Sequence, residues 1–84
     1  MTEEEIGVIS HYFSNIQVAV LKLTKGGVKV GDTIHIKGST SDFTQTIDSM
    51  QINHKPVENA KKGDSIGLKV AEHAREHDTV FRIE

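Results

Sequence analysis

Five lysines lie close to two Gly-Asp pairs and could bind phosphate groups if both pairs lie at one rim of the fold. They are Lys22, Lys25, Lys29, Lys61 and Lys62. Tyr12 and Phe13 could add a stacking surface, because nucleic-acid bases stack on aromatic rings. Lysines are also an ordinary means of keeping a sheet edge soluble and unpaired. The sequence therefore leaves two interpretations open, a weak RNA-binding surface and a solvated edge.

Two histidines, His73 and His77, are spaced four residues apart in AEHAREHD. On a helix this spacing would direct both rings towards one metal ion, with a neighbouring carboxylate as the third ligand. No helical pattern surrounds them, so we favour a solvated connector and predict no metal site. His35 lies between two apolar strand positions, so its ring is expected to face solvent without a functional role.

The composition indicates one small domain. The 84 residues have a formal net charge of −2 and are 36% hydrophobic, which is enough for one modest core. Residues 6–70 hold eight Lys against five Asp and Glu, a balance of +3, whereas both ends of the chain are acidic. We expect these ends to repel phosphates and to confine any RNA binding to the lysines. An acidic start and the lack of a long apolar stretch predict a cytoplasmic protein that does not span a membrane.

A repeated phrase, VKVGDTIHIKG at 28–38 and AKKGDSIGLKV at 60–70, indicates how the chain turns. Gly31 and Gly63 supply the backbone freedom of a tight turn, and Asp32 and Asp64 bond nearby amides. A strand with alternating apolar residues follows each turn. A third, degraded copy occupies 77–82, with His77 in the place of Gly.

Short β-branched runs separated by turns predict an all-β fold, namely a small closed six-stranded Greek-key-like β-barrel. The predicted strands are 6–13, 16–24, 32–37, 42–53, 64–70 and 78–83. In 42–53 the apolar residues change from odd to even positions, which predicts a bulge near Asp48-Ser49. Residues 1–5 are predicted to form an acidic mobile tail, and residues 6–84 a single barrel domain.

Catalysis is not expected. The chain has no Cys, and its Ser, His and Asp residues lack the glycines of a nucleophile elbow. The interior of so small a barrel is filled by side chains, which leaves no substrate cavity. The phosphate-binding motif G-x-x-x-x-G-K-[ST] is absent, so no nucleotide is expected to bind. We therefore predict a non-catalytic protein without a cofactor.

The same residues carry a family resemblance. LKLTKGGVKVGDTIHIKG resembles the domain 2 β-barrel of translational GTPases such as elongation factor Tu, and QINHKPVENAKKGDSIGLKV is similar to the next part of that domain. VGDTIHIKG and DFTQT also resemble small stand-alone translation elongation factor-like proteins. The C-terminal barrel of collagenase-like peptidases has a related pattern. The resemblance covers 6–83 and implies the fold, but it identifies no contact residue and includes no GTPase domain.

The resemblance implies a non-catalytic binding module associated with translation, with RNA, the ribosome or a protein factor as its partner. The alternative is a protein-interaction accessory domain for an unrelated enzyme, such as a collagenase-like peptidase. The oligomeric state remains open at this point.

Overall fold

The computed structural model describes residues 2–83 as strands and turns, with no helix and hence no helix that could cross a membrane. The strands are β1 (Glu3–Phe13), β2 (Val18–Leu23), β3 (Val28–Lys29), β4 (Thr33–Lys37), β5 (Asp42–Thr46), β6 (Met50–Ile52), β7 (Lys55–Val57), β8 (Asn59–Ala60), β9 (Ser65–Lys69) and β10 (Thr79–Ile83). Eight of them form one sheet in the order β5-β4-β10-β1-β2-β9-β6-β7, and β3 pairs with β8. All described pairs are antiparallel. The all-β prediction is therefore confirmed.

Aliphatic side chains from both halves of the sheet meet in one core. Ile36 of β4 lies near one end of the strand order and Leu68 of β9 near the other, and both are buried in the same cluster. A flat sheet could not bring these strands together, so the sheet is curled around the core. The register places alternate residues inside, as the repeated phrase predicts for Ile34 and Ile66.

The predicted strand 42–53 is broken in two. Its ladder stops at Thr46 and resumes at Met50, and the chain between them belongs to no strand. Ile47 and Met50 are both buried, so the change of parity is real, but a break accommodates it in place of the predicted bulge. The first half pairs with β4 and the second with β9. One stretch of chain thus connects the two sides of the curled sheet.

Gln45 bridges the seam that remains between β5 and the end of β9. Its Nε2 donates to the Lys69 carbonyl oxygen at 2.9 Å, and its Oε1 accepts from the Ala71 backbone N–H at 2.8 Å. No described backbone ladder joins β5 to β9. The expectation of a closed six-stranded barrel is accordingly corrected to a curled eight-stranded sheet with an open seam. Between β5 and β6, Ile47 pairs its backbone with the first Gly-Asp turn: its N–H donates to the Asp32 carbonyl and its carbonyl accepts from the Gly31 N–H. Its backbone groups are therefore satisfied without a continuous ladder.

The N-terminus is also corrected. Glu3, Glu4 and Glu5 were expected in the mobile tail 1–5, but β1 begins at Glu3 and these three residues pair with β10. Their carboxylates have cationic partners on the folded domain, which reduces the cost of placing three acids side by side. Met1, at the start of the predicted tail, and Glu84, at the end of the predicted domain 6–84, lie outside the described residues.

Three turns share one hydrogen-bonding design. In each, a basic residue and the Asp three positions later exchange bonds: the Asp N–H donates to the basic residue's carbonyl, and the Asp carboxylate accepts from that residue's N–H. The pairs are Lys29 with Asp32, Lys61 with Asp64, and Arg75 with Asp78. The third residue has positive φ in all three, 98° at Gly31, 99° at Gly63 and 74° at His77. The degraded third copy is therefore a true copy of the turn.

Each of these turns also attaches to one buried aliphatic residue of a neighbouring segment. The residue with positive φ donates its N–H to the carbonyl of that aliphatic residue, whose own N–H donates to the carbonyl of the turn's Asp. The aliphatic residues are Ile47, Leu23 and Ile9 for the first, second and third turn. The repeated phrase thus encodes a turn together with its attachment to the core.

Three short strands, β3, β7 and β8, were not predicted. The chain turns directly after β6 at Asn53 and His54, which both have positive φ, 52° and 65°. Two central residues with positive φ define the tight hairpin turn that joins β6 to β7. Pro56 consequently lies in β7, an edge strand, where its missing N–H is tolerated.

Candidate interaction surfaces

The structure brings part of the predicted lysine set together. The β3–β8 ladder pairs Lys29 with Asn59 and Val28 with Ala60, and Lys61 and Lys62 follow directly after Ala60. Lys29, Lys61 and Lys62 are all exposed and form what we call the lysine rim. The two Gly-Asp turns are joined through this ladder.

Acidic residues lie among the cations of this end of the fold. Lys25 forms an ion pair with Glu5 at 3.2 Å, and Arg82 contacts Glu4 at 3.3 Å while donating to the Gly27 carbonyl. The N-terminal acids were expected to repel phosphates and so to confine binding to the lysines. Because β1 pairs with β10, they instead lie beside them and lower the local positive potential.

The two aromatic candidates are separated from the lysine rim. Gly7 pairs with Leu23 near the rim, whereas Phe13 pairs with Val18 at the other end of β1. Six residues of extended strand correspond to about 20 Å. Tyr12 packs against His73, with ring centroids 4.5 Å apart, and Phe13 packs against His11 at 4.9 Å. The lysines and aromatics do not form one surface.

The segment that carries His73 and His77 is irregular, so the helical spacing has no structural counterpart. His73 lies on the Tyr12 ring, and His77 occupies the position of positive φ in the third turn. Within residues 2–83, no three His, Asp or Glu side chains are placed to hold a metal ion.

His35 was expected to face solvent without a functional role, but it links three strands. Its Nδ1 lies 3.0 Å from Glu3 Oε2, and its Nε2 is bonded to Asp42 Oδ1. Both partners accept hydrogen bonds, so both ring nitrogens must carry protons to satisfy them. Hydrogen bonds to Asp42 and then Glu3 raise the pKa of His35 above 6.5, although partial burial opposes the shift. The bond from His35 in turn lowers the pKa of Asp42 below 3.8.

A groove of about 380 Å³ lies on the outer face of β2 and β9, and its walls are largely apolar. Phe13 and Ile16 stand at its border with 41% and 56% of their surface exposed. Val18 and Val20 point outward from β2 and are only half-buried. Such a cluster of exposed apolar side chains on one face is typical of an interaction site.

Gly67 forms the floor of this groove, which we call the Gly67 groove. It pairs with Val20 on one side and with Gln51 on the other, in regular register. Gln51, Asn53, His54 and Ser65 add polar groups to the lining, and no carboxylate belongs to it.

Two lysines border the Gly67 groove on the same face. Lys22 follows Val20 by two positions on β2, and Lys69 follows Gly67 by two positions on β9. Both are exposed, and no described ion pair engages either side chain. Asp48 lines a neighbouring pocket together with Lys69, and Asp64 precedes Ser65, the strand partner of Lys22, but neither carboxylate belongs to the lining of the groove. Lys22 therefore belongs to the groove and not to the lysine rim.

Sequence reasoning missed the Gly67 groove, although two signals for it were present. The predicted strand 16–24 had apolar residues of both parities, and the structure resolves this by burying Ala19, Leu21 and Leu23 while Val18 and Val20 point outward. Gly67 also lies between Ile66 and Leu68 in the interior of β9. Apolar residues on an outward face and a glycine in a strand interior together mark this surface.

Comparison with known proteins identifies the fold and its usual context. The profile of the family described as elongation factor Tu domain 2 matches residues 17–80. An uncharacterized protease of Methanocaldococcus jannaschii is 42% identical over 78 residues, which are 92% of this chain and 19% of that protein. A collagenase of Porphyromonas gingivalis is 32% identical over 74 residues, 87% of this chain and 20% of the collagenase. The chain thus spans about a fifth of the length of these relatives.

Solved structures agree with this result. The C-terminal domain of a candidate U32 peptidase from Geobacillus thermoleovorans superposes with a TM-score of 0.88 over 96% of this chain and 93% of that domain, at 17% identity. Its selenomethionine variant gives a TM-score of 0.85. At this level of identity the likeness concerns the fold. The twofold resemblance noted from the sequence, to a translation-factor domain and to a collagenase-like peptidase domain, is confirmed.

Proposed function

The chain belongs to the elongation factor Tu domain 2 family, and we propose that it is a non-catalytic, protein-binding accessory domain of the kind found in collagenase-like peptidases. The observation that carries this proposal is the Gly67 groove, an outward apolar surface that the chain's own core does not use. The relatives support it, because the matched segment is about a fifth of each and leaves most of each protein as a potential partner. This is the alternative function that the sequence left open.

The absence of catalysis in this proposal is supported by what the acidic side chains do. Asp32, Asp64 and Asp78 each accept a backbone N–H within a turn, which uses them structurally. Across the described residues, the buried polar or charged residues are only Ser41 and Asp78, and the interior is otherwise hydrophobic. An accessory role is compatible with such an interior.

A domain exchange tests the proposal. The matched 74-residue segment of the Porphyromonas gingivalis collagenase would be replaced by this chain, and collagen hydrolysis would be compared with the wild-type enzyme and with a version lacking the segment. We expect the chimera to keep activity within a few-fold of wild type while the deletion loses it. This chain alone should not hydrolyse collagen. Hydrolysis by the isolated chain, or a chimera no better than the deletion, would exclude the accessory role.

A second candidate, RNA binding in translation, is favoured by the lysine rim alone. Lys29, Lys61 and Lys62 are close together, but Lys25 is paired with Glu5 and the aromatics lie elsewhere. Three phosphate contacts would give a log–log salt slope of about −2, from roughly 0.7 per phosphate of a single strand. Fluorescence anisotropy with a labelled tRNA acceptor stem would measure this slope. No binding at low salt, or binding unchanged when the three lysines become Gln, would exclude this function.

A further inference from the structure

We propose that the Gly67 groove binds an extended peptide segment of a partner protein, with an apolar side chain over Gly67 and a carboxylate two residues before and two residues after it. The inference rests on the proposed protein-binding function and names the surface and the chemistry of its partner. Three features carry it: a glycine that the chain's own packing does not explain, an exposed apolar wall, and two lysines at matching positions that form no ion pair among residues 2–83.

The chain's own packing does not require glycine at position 67. A Cβ built there would meet only Val18 Cγ1, at the ordinary contact distance of 3.7 Å. The described glycines with positive φ are Gly31 and Gly63, so Gly67 has a conformation that other residues adopt. By contrast, a Cβ at Gly7 would lie 2.2 Å from the Lys22 carbonyl oxygen.

Glycine in a strand interior is nevertheless destabilising relative to alanine, because it loses more backbone freedom on folding. Such a glycine often marks a bulge, a bend or the close approach of a ligand or a second backbone. The pairing of Gly67 with Val20 and Gln51 shows no register shift, which excludes a bulge. Because a Cβ at Gly67 would meet only Val18 Cγ1, the space above this residue is free for atoms from outside the chain.

The walls of the groove determine the character of the central side chain. Val18 and Val20 flank Gly67 from β2, and Phe13 and Ile16 rise beside them with large exposed fractions. Covering these side chains removes apolar surface from water, at about 25 cal/mol per Å². An apolar anchor residue fits this site, and the amides of Gln51 and Asn53 can bond its backbone.

The spacing of the two lysines sets the positions of the carboxylates. Lys69 lies opposite Val18 and Gly67 opposite Val20, while Lys22 lies opposite Ser65. Along the strand direction, Gly67 is thus midway between the levels of Lys69 and Lys22, which are four residues or about 13 Å apart. In an extended segment, alternate side chains face one side. Residues i, i+2 and i+4 of the partner would then meet Lys69, Gly67 and Lys22, or the reverse.

The test is a titration of the 15N-labelled chain, followed by its backbone amide signals. The probe is a seven-residue peptide with phenylalanine at its centre, glutamate two positions before and after it, and serine elsewhere. We expect shifts centred on Val18, Val20 and Gly67. A peptide with the glutamates adjacent to phenylalanine, and one with lysine in place of glutamate, should bind at least tenfold more weakly.

Two variants make the result specific. Gly67→Leu fills the groove and should abolish binding, and Lys22→Glu combined with Lys69→Glu should reverse the preference towards the lysine peptide. The double variant changes only exposed side chains, so it still tests the charge preference if Gly67→Leu impairs folding. Equal affinity for all peptides, or shifts elsewhere on the protein, would overturn the inference.

Two further outcomes separate this inference from the proposed function. Concentration-dependent shifts at the groove without any peptide would assign it to a second copy of this chain and would overturn the peptide inference. An active collagenase chimera whose activity survives Gly67→Leu would leave the accessory function intact and would also exclude the Gly67 groove as its binding surface. Failure of the chimera combined with specific peptide binding would exclude the accessory role and leave the peptide inference standing.

Discussion

At the scale of single residues, His35 shows how an outward-facing strand position acquires a structural role. It joins Glu3 of β1, Asp42 of β5 and its own strand β4 through hydrogen bonds that need a protonated ring. Its side chain is only 14% exposed. Alternation along the strand correctly predicts that the ring points away from the core. The partners are 32 and 7 residues away in sequence, and no local pattern indicates them.

This arrangement predicts a pH-dependent stability. Because the pKa of His35 is raised in the folded state, its contribution is fully present below the unfolded value of 6.5 and is lost as the pH rises through the folded value. Because the pKa of Asp42 is lowered, its contribution is present above 3.8 and is lost as the pH falls through its folded value. Urea unfolding between pH 3 and pH 9 should show that the hydrogen bonds of His35 to Glu3 and Asp42 add to the free energy of unfolding between these limits.

His35→Gln tests this pH dependence, and His54→Gln is its matched control. The first variant should flatten the decline in stability on the alkaline side, because a glutamine does not titrate. The second should keep it, since His54 lies in a hairpin turn without an ion pair among the described residues. A decline that is unchanged in His35→Gln would show that another group is responsible.

His77 provides a second prediction at this scale. It has a φ of 74° in the position that glycine occupies in the two other turns, and it is exposed. Glycine adopts this conformation without the steric cost of a Cβ but loses more freedom on folding. The balance leads us to expect that His77→Gly raises the free energy of unfolding by about 0.5–1 kcal/mol. If the variant were less stable in denaturant melts, the His77 side chain would add more stability than its positive φ removes.

At the scale of elements, the three basic-x-x-Asp turns explain why the repeated phrase was informative. Each copy specifies its own turn bonds and its attachment to a buried residue, so the strands after the turns, β4, β9 and β10, could be predicted closely. Strands β3, β7 and β8 have only two or three residues, too few for alternation to be visible. The acidic start of β1 pairs because of partners in β10, which local composition cannot indicate.

The turns yield a direct prediction. Gly31→Val and Gly63→Val should each lower the free energy of unfolding by about 1–3 kcal/mol, because a β-branched residue at positive φ is strained. No atom lies within 4 Å of the Cβ position at either site, so the loss would reflect backbone conformation and not a steric clash. Gly67→Ala is the matched control, since it adds a side chain at a glycine without positive φ. Melting of both valine variants within a degree of the parent would contradict the turn argument.

At the scale of the whole molecule, the domain reaches a compact core without closing its sheet. The chain crosses from one side of the sheet to the other between β5 and β6, and Gln45 spans the seam that this leaves. The sequence predicted the curl from the parity change in 42–53, but it could not distinguish a bulged continuous strand from a broken one. It suggested that Tyr12 and Phe13 could share a surface with the lysines. It could not indicate that these aromatics lie apart from the lysine rim, because that separation depends on which end of β1 lies beside each turn.

The seam gives the final prediction. Gln45→Ala removes the two hydrogen bonds that join β5 to the end of β9 and leaves the Lys69 carbonyl and the Ala71 N–H without their partner. We expect the free energy of unfolding to fall by about 1–2 kcal/mol. Since the bridge holds only the seam, amide hydrogen exchange should accelerate first at Ala71 and its neighbours, while the amides that pair β1 with β2 change only with global stability. Gln51→Ala is the control, because Gln51 has the same chemistry on β6, is exposed and makes no described side-chain hydrogen bond. If amide exchange accelerated uniformly across the whole sheet, the seam would not open as a separate unit. Gln45 would then contribute only to the global stability of the domain.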